Sequence, residues 1–135
     1  MSKTSERGAV AVEFALLAPV LILLLLGIME LGRAYNVQMS LTNAARESVR
    51  SMAINDNAIP DSEKKAAALA AANKAISFGA TLTATNIEFS PSSCVLAPGA
   101  PIPQISVTVR YTLSTMTGIA GPFDMTGKGT MLCGG

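Results

Sequence analysis

The chain has 135 residues, half of them apolar, with ten Lys and Arg against nine Asp and Glu, two Cys, and neither His nor Trp. That length bounds it to one domain with one modest core, and near-neutral charge without a basic patch argues against nucleic acid as a partner. Lack of His removes the commonest general base and metal ligand. With no nucleophile–base pair, phosphate-cradling glycine loop or metal-ligand spacing, no catalytic residue, cofactor or metal site is expected.

Residues 1–8 are short and polar, with Lys3 and Arg7. From Phe14 to Met29 only Pro19 and Gly27 interrupt an apolar run bounded by Glu13 and Glu30. The run makes roughly 24 Å of helix, short of a hydrocarbon core of about 30 Å. Adding Ala9 to Val12 brings it to spanning length and places Glu13 inside the span. An ionised carboxylate there costs on the order of 3 kcal/mol or more, so it is by default a functional residue in need of a partner. Cutting the chain between Gly8 and Ala9 would create that partner, an α-amine close to Glu13 on the same or a neighbouring subunit. Pro19 removes one helical hydrogen bond, which membrane helices tolerate when neighbours compensate.

The helical pattern continues beyond the apolar run. Ala34, Val37, Leu41, Ala44, Ala45, Ser48 and Met52 recur at three- and four-residue steps, while Asn36, Ser40, Asn43, Arg46 and Arg50 fall largely elsewhere. This is the amphipathic helical period. One helix from about Ala9 to Ala53, roughly 65 Å long, is predicted. Asn55 to Pro60 reads as a break. A second helix is expected from Asp61 or Ser62, either able to cap it, to about Phe78, with Gly79 as a stop.

From Thr81 the pattern turns to β. Thr81 to Phe89 is one strand candidate, its alternation slipping near Asn86 as at a bulge or bend. Ser90 to Pro103, with four prolines, reads as an irregular loop. Ile105, Val107, Val109, Tyr111 and Leu113 alternate cleanly with polar residues in the clearest strand. Thr115 to Met125 reads as a connection, Gly118 to Gly121 and Gly127 to Gly129 as turn glycines, and Lys128 to Cys133 as a weaker closing strand. The fold class expected is α+β: a long N-terminal transmembrane and amphipathic helix, a second helix, and a small antiparallel sheet packed on the amphipathic half. If this part is exported, Cys94 and Cys133 are expected to form a disulfide closing a loop of about 40 residues; two separate inert thiols are the alternative. A pair of cysteines cannot form a structural zinc site alone.

Three readings of the apolar segment compete. In a secretory signal peptide, Gly32 and Ala34 would precede a cut before Tyr35, but Glu13 intrudes and the helical pattern runs through that cut. In a plain single-span anchor, Glu13 would snorkel; the charges flanking the span do not orient it. In a prepilin-type segment, Gly8 precedes the cut, Glu13 is fifth after it, and Phe14 follows. The stretch Arg7-Gly8 … Val12-Glu13-Phe14-Ala15-Leu16 … Pro19 … Gly27-Ile28-Met29-Glu30-Leu31-Gly32-Arg33 … Thr42-Asn43-Ala44-Ala45-Arg46-Glu47 closely resembles the TadE-like family of tight-adherence (Flp-type) type IV pilus assembly proteins. It covers about the first 50 residues. Beyond Ala53 only a general pilin-like plan of helix, small sheet and late cysteine is shared.

The resemblance implies a non-enzymatic pseudopilin or minor pilin with a leader at 1–8, a transmembrane helix at 9–31 and a soluble α+β domain at 32–135. It implies cleavage between Gly8 and Ala9 by a prepilin peptidase that reads Gly8, Glu13 and Phe14, and assembly through an ion pair of Ala9 with Glu13. The partners implied are that peptidase, other pilins or pseudopilins with the inner-membrane assembly machinery, and membrane lipid. The place implied is the inner (cytoplasmic) membrane, single-pass, with the C-terminal domain periplasmic or extracellular, or the protein built into a surface pilus. Ala9 departs from prepilins that methylate an N-terminal aromatic. From the residues alone, a membrane-anchored or secreted adhesion module stays open, with the Pro-rich loop between Phe89 and Gln104 as its binding surface. Arg46 and Arg50, one turn apart, could grip a partner carboxylate or simply form a solvated face.

Overall fold

A single α-helix of 52 residues, α1 (Lys3–Ile54), runs through the whole N-terminal part of the chain. The computed structural model describes residues 3–54, 59–77, 79–92, 94, 99–118 and 121–134. Residues 55–58 of the expected break at Asn55 to Pro60, the expected helix end at Phe78, and Ser93 and 95–98 of the Pro-rich loop lie outside the described residues. The C-terminal end of α1 falls within a residue of that expected, whereas its start lies at Lys3, inside the polar N-terminal segment rather than at Ala9. Nothing in 3–8 breaks a helix, and Pro19 is carried within it.

The two halves of α1 meet different surroundings. From Val37 onward the predicted stripe is buried, with Val37, Leu41, Ala44, Ala45, Ser48 and Met52 all under 2% exposed, joined by Val49 and Ala53. Ser40 lies on this buried face too, against expectation. Its hydroxyl accepts the Ser77 N–H at 2.9 Å, so a small polar residue is accommodated where α1 meets the segment after the second helix. That helix, α2 (Asp61–Ala75), carries Asp61 and Glu63 in its first turn and has Pro60 at its N-cap, with no side-chain cap. The carboxylates favour the positive end of the helix dipole instead. Ala68 and Ala72 are fully buried and Lys64 is 3% exposed, so the Ala-rich tract is a packed helix whose small side chains permit close approach. It ends at Ala75, earlier than expected, where Ile76 turns extended.

Among the described residues three antiparallel strands follow, in the order β1 (Ile87–Ser90), β2 (Gln104–Leu113) and β3 (Phe123–Leu132). The slipped alternation near Asn86 is a 3-10 turn at Ala84–Asn86, so the first strand begins at Ile87. The Asn86 side chain accepts the Thr83 N–H at 2.9 Å and donates to the Arg110 carbonyl at 3.1 Å, closing the turn against β2. In β2, Ile105, Val107, Val109 and Leu113 are at most 1% exposed, the clean alternation of the sequence made physical. The residues between them are exposed or half-buried, with Arg110 reaching Glu88 on the outer face.

β3 is longer than expected and corrects the glycine reading. It pairs with all ten residues of β2, from Gln104↔Leu132 to Leu113↔Phe123. Gly127 and Gly129 therefore lie within a strand and not in turns. A Cβ on Gly127 would collide with the Leu41 carbonyl, and one on Gly129 would sit 2.7 Å from the Ala45 carbonyl oxygen. Strand glycines of this kind mark close backbone approach. Two strand residues advance about 6.8 Å and four helix residues about 6.0 Å, so β3 can ride along successive carbonyls of α1.

Candidate assembly and membrane segment

The N-terminal half of α1 projects beyond the packed domain. From Val10 to Leu31 its large apolar residues are between 38% and 71% exposed, Phe14 most of all. The helix is long and apolar enough to cross a membrane. Water-exposed apolar surface of this extent marks an interaction site. Gly8, Ala9, Glu13 and Phe14 all lie on this projecting half and all are exposed. Ala9 and Glu13 stand one turn apart on the same helix face, and helical side chains lean toward the N-terminus. A carboxylate at 13 therefore reaches toward position 9. Among the described residues Glu13 makes no salt bridge.

A second feature lies where the projecting half meets the domain. Glu30 is only 7% exposed. Its carboxylate accepts the Met116 N–H, shared between Oε1 at 3.2 Å and Oε2 at 3.1 Å. One helical turn later, the Arg33 guanidinium donates to the Ser114 carbonyl at 3.0 Å. These two contacts clasp the turn after β2 onto α1. Beside them Leu23, Leu26, Gly27 and Leu31 of α1 share one groove with Thr117 and Phe123. Glu30 was legible in the sequence only as the end of an apolar run. The usable signal was its three-residue spacing from Arg33, together with a segment from Leu113 to Phe123 that has no charged side chain.

The opposite end of the domain is closed by a disulfide. Cys94 and Cys133, 4% and 2% exposed, are bonded with their Cα atoms 5.6 Å apart. Around it the Cys133 N–H donates to the Pro103 carbonyl at 2.9 Å and the Gly134 N–H to the Ala53 carbonyl at 3.2 Å. The C-terminus is thus tied both to the Pro-rich connection and to the end of α1. A third tie, which the sequence reading missed, is Asn73 in α2. Its side chain accepts the Leu82 N–H at 2.7 Å and donates to the Leu82 carbonyl at 3.1 Å, as a neighbouring strand would. Arg46 and Arg50 are exposed, and among the described residues neither forms a salt bridge.

No match to the chain is found among curated proteins or among solved structures. Residues 8–50, which hold both the exposed apolar half of α1 and most of its buried stripe, match the model of the family described as TadE-like protein. The likeness falls on the same stretch whose motif resembles that family, and over those residues the chain is similar to TadE-like proteins.

Proposed function

We propose that the protein is a pseudopilin or minor pilin of a tight-adherence pilus, made with a leader that a prepilin peptidase removes between Gly8 and Ala9. The observation that carries this reading is one helix with two fates. Its N-terminal half is apolar and exposed, and its C-terminal half is the core of a small disulfide-bonded domain. Such a rod spans the inner membrane before assembly and packs beside the helices of other pilins afterwards, with the domain on the periplasmic or outer side. The TadE-like match over 8–50 supports a place in pilus biogenesis.

Cleavage after Gly8 leaves the amine of Ala9 at the start of the helix, one turn from Glu13. The new charge adds to the positive end of the helix dipole, so Glu13 becomes neutralised within its own helix or by a neighbour's terminus. Removing one member of a buried pair costs roughly 3–5 kcal/mol, far more than an exposed pair contributes. Glu13→Ala is therefore expected to be processed but to enter pili poorly; normal assembly of this variant would remove the role. N-terminal sequencing of the mature protein tests the cut itself. Ala9 as first residue supports the proposal, while Tyr35, or Met1 or Ser2, would replace it with a secreted protein or a plain anchor.

A further inference from the structure

We propose that the end of the sheet nearest the apolar half of α1, residues 114–118 together with Phe123, is a lipid-contacting surface seated at the boundary between headgroups and acyl chains. This rests on the membrane-spanning reading of α1. Ala9 and Glu30 are separated by about 32 Å along the helix, close to the hydrocarbon thickness of about 30 Å. With that stretch in the bilayer, Glu30 marks its outer face, and Arg33, roughly 4.5 Å further out, lies at the level of lipid phosphates. Leu26 and Leu23 lie roughly 6 and 10 Å deeper than Glu30. Because Thr117 and Phe123 share a groove with these leucines, the turn reaches past the outer face toward acyl-chain depth.

The chemistry of the turn fits that depth. Met116 is 67% exposed and Phe123 half-buried, and no side chain from Leu113 to Phe123 is charged. Irregular backbone near hydrocarbon needs its polar groups satisfied by protein. Here the Met116 N–H is taken by Glu30 and the Ser114 carbonyl by Arg33. The clasp thus fixes the turn at one height on the helix, and with it the angle at which the domain stands on the membrane. Lipid is favoured over a second copy because the helix side of the groove is continuous with the leucines of the span.

The chain has no Trp, so a single introduced indole reports its own surroundings. Full-length Met116→Trp and Val20→Trp would be reconstituted in vesicles of phosphatidylethanolamine and phosphatidylglycerol. Their acyl chains would be brominated either near the carbonyl or near the terminal methyl. Met116→Trp is expected to show blue-shifted emission that is lost with bromine near the carbonyl. Val20→Trp, at mid-span, is expected to lose emission most with bromine near the methyl end. Water-like, unquenched emission from Met116→Trp beside a quenched Val20→Trp overturns the lipid surface and leaves the span standing. Neither indole being quenched removes both. A blue shift without quenching that grows with protein-to-lipid ratio assigns the groove to a second copy, and overturns the proposal.

Discussion

Adding one methyl group to β3 tests how the domain is built. Gly129→Ala would place a Cβ 2.7 Å from the Ala45 carbonyl oxygen, 2.8 Å from its carbon and 3.0 Å from the Arg46 nitrogen. An ordinary separation is about 3.5 Å, so strand and helix must part by roughly 0.8 Å. All three obstacles are main-chain atoms of α1, and no side chain can rotate away. Overpacking of this kind costs typically 1–3 kcal/mol, occasionally more. Gly127→Ala, which collides directly with the Leu41 carbonyl, belongs at or above the upper end. The entropy that alanine removes from the unfolded chain returns only about 0.4–1 kcal/mol. For an ordered domain of this size each kcal/mol is worth about 4–8 °C. Thermal unfolding of the full chain in detergent, followed by the circular dichroism of its sheet and helices, should show Gly127→Ala melting at least about 8 °C lower. Gly32→Ala, with nothing within 4 Å of its Cβ, serves as the control. It should hold or raise stability, since glycine inside a helix costs roughly 0.5–1 kcal/mol relative to alanine. Unchanged melting of Gly127→Ala would refute the close seating of β3 on the carbonyls of α1.

Two further ties should be separately measurable. Cys94 and Cys133 are 39 residues apart, for which the chain-entropy account gives about 4 kcal/mol, so paired Cys94→Ser and Cys133→Ser substitutions should lower the urea midpoint accordingly. A midpoint unmoved by those substitutions, or by reductant, would show that the bridge contributes nothing to the fold. Asn73→Ala strands both polar groups of Leu82, a residue 2% exposed, and should cost about 1–3 kcal/mol by the same measurement. Amide exchange at Leu82 should quicken in that variant, and an unchanged rate would remove the tie.

Much of the architecture was legible in the residues because it follows from periodicity. The stripe from Val37 to Met52 and the alternation from Ile105 to Leu113 each state which face is buried, and both do so in the folded chain. Departures occurred where local pattern is weak. β3 alternates Phe123, Met125, Gly127, Gly129 and Met131 on its inner face, and two glycines there carry no hydrophobic signal. Asn86 disturbed the strand pattern because its side chain closes a 3-10 turn. Ser40 falls with the polar residues of α1 in the local pattern, and only its partner Ser77, 37 residues away, accounts for its burial.

The residues around Gly8, Ala9, Glu13 and Phe14 stand apart, since a short local motif carries them and no long-range contact is needed to read it. By itself, then, the sequence determined that one helix would be apolar all round in its first half and one-sided in its second, because helix formation and amphipathicity are local properties of consecutive side chains. Only the tertiary structure decided that β3 would run along the carbonyls of Leu41 and Ala45, and that Glu30 and Arg33 would hold the turn after β2. Those contacts join residues more than 80 positions apart, and the fit of strand repeat to helix repeat that permits them exists only once both elements are formed.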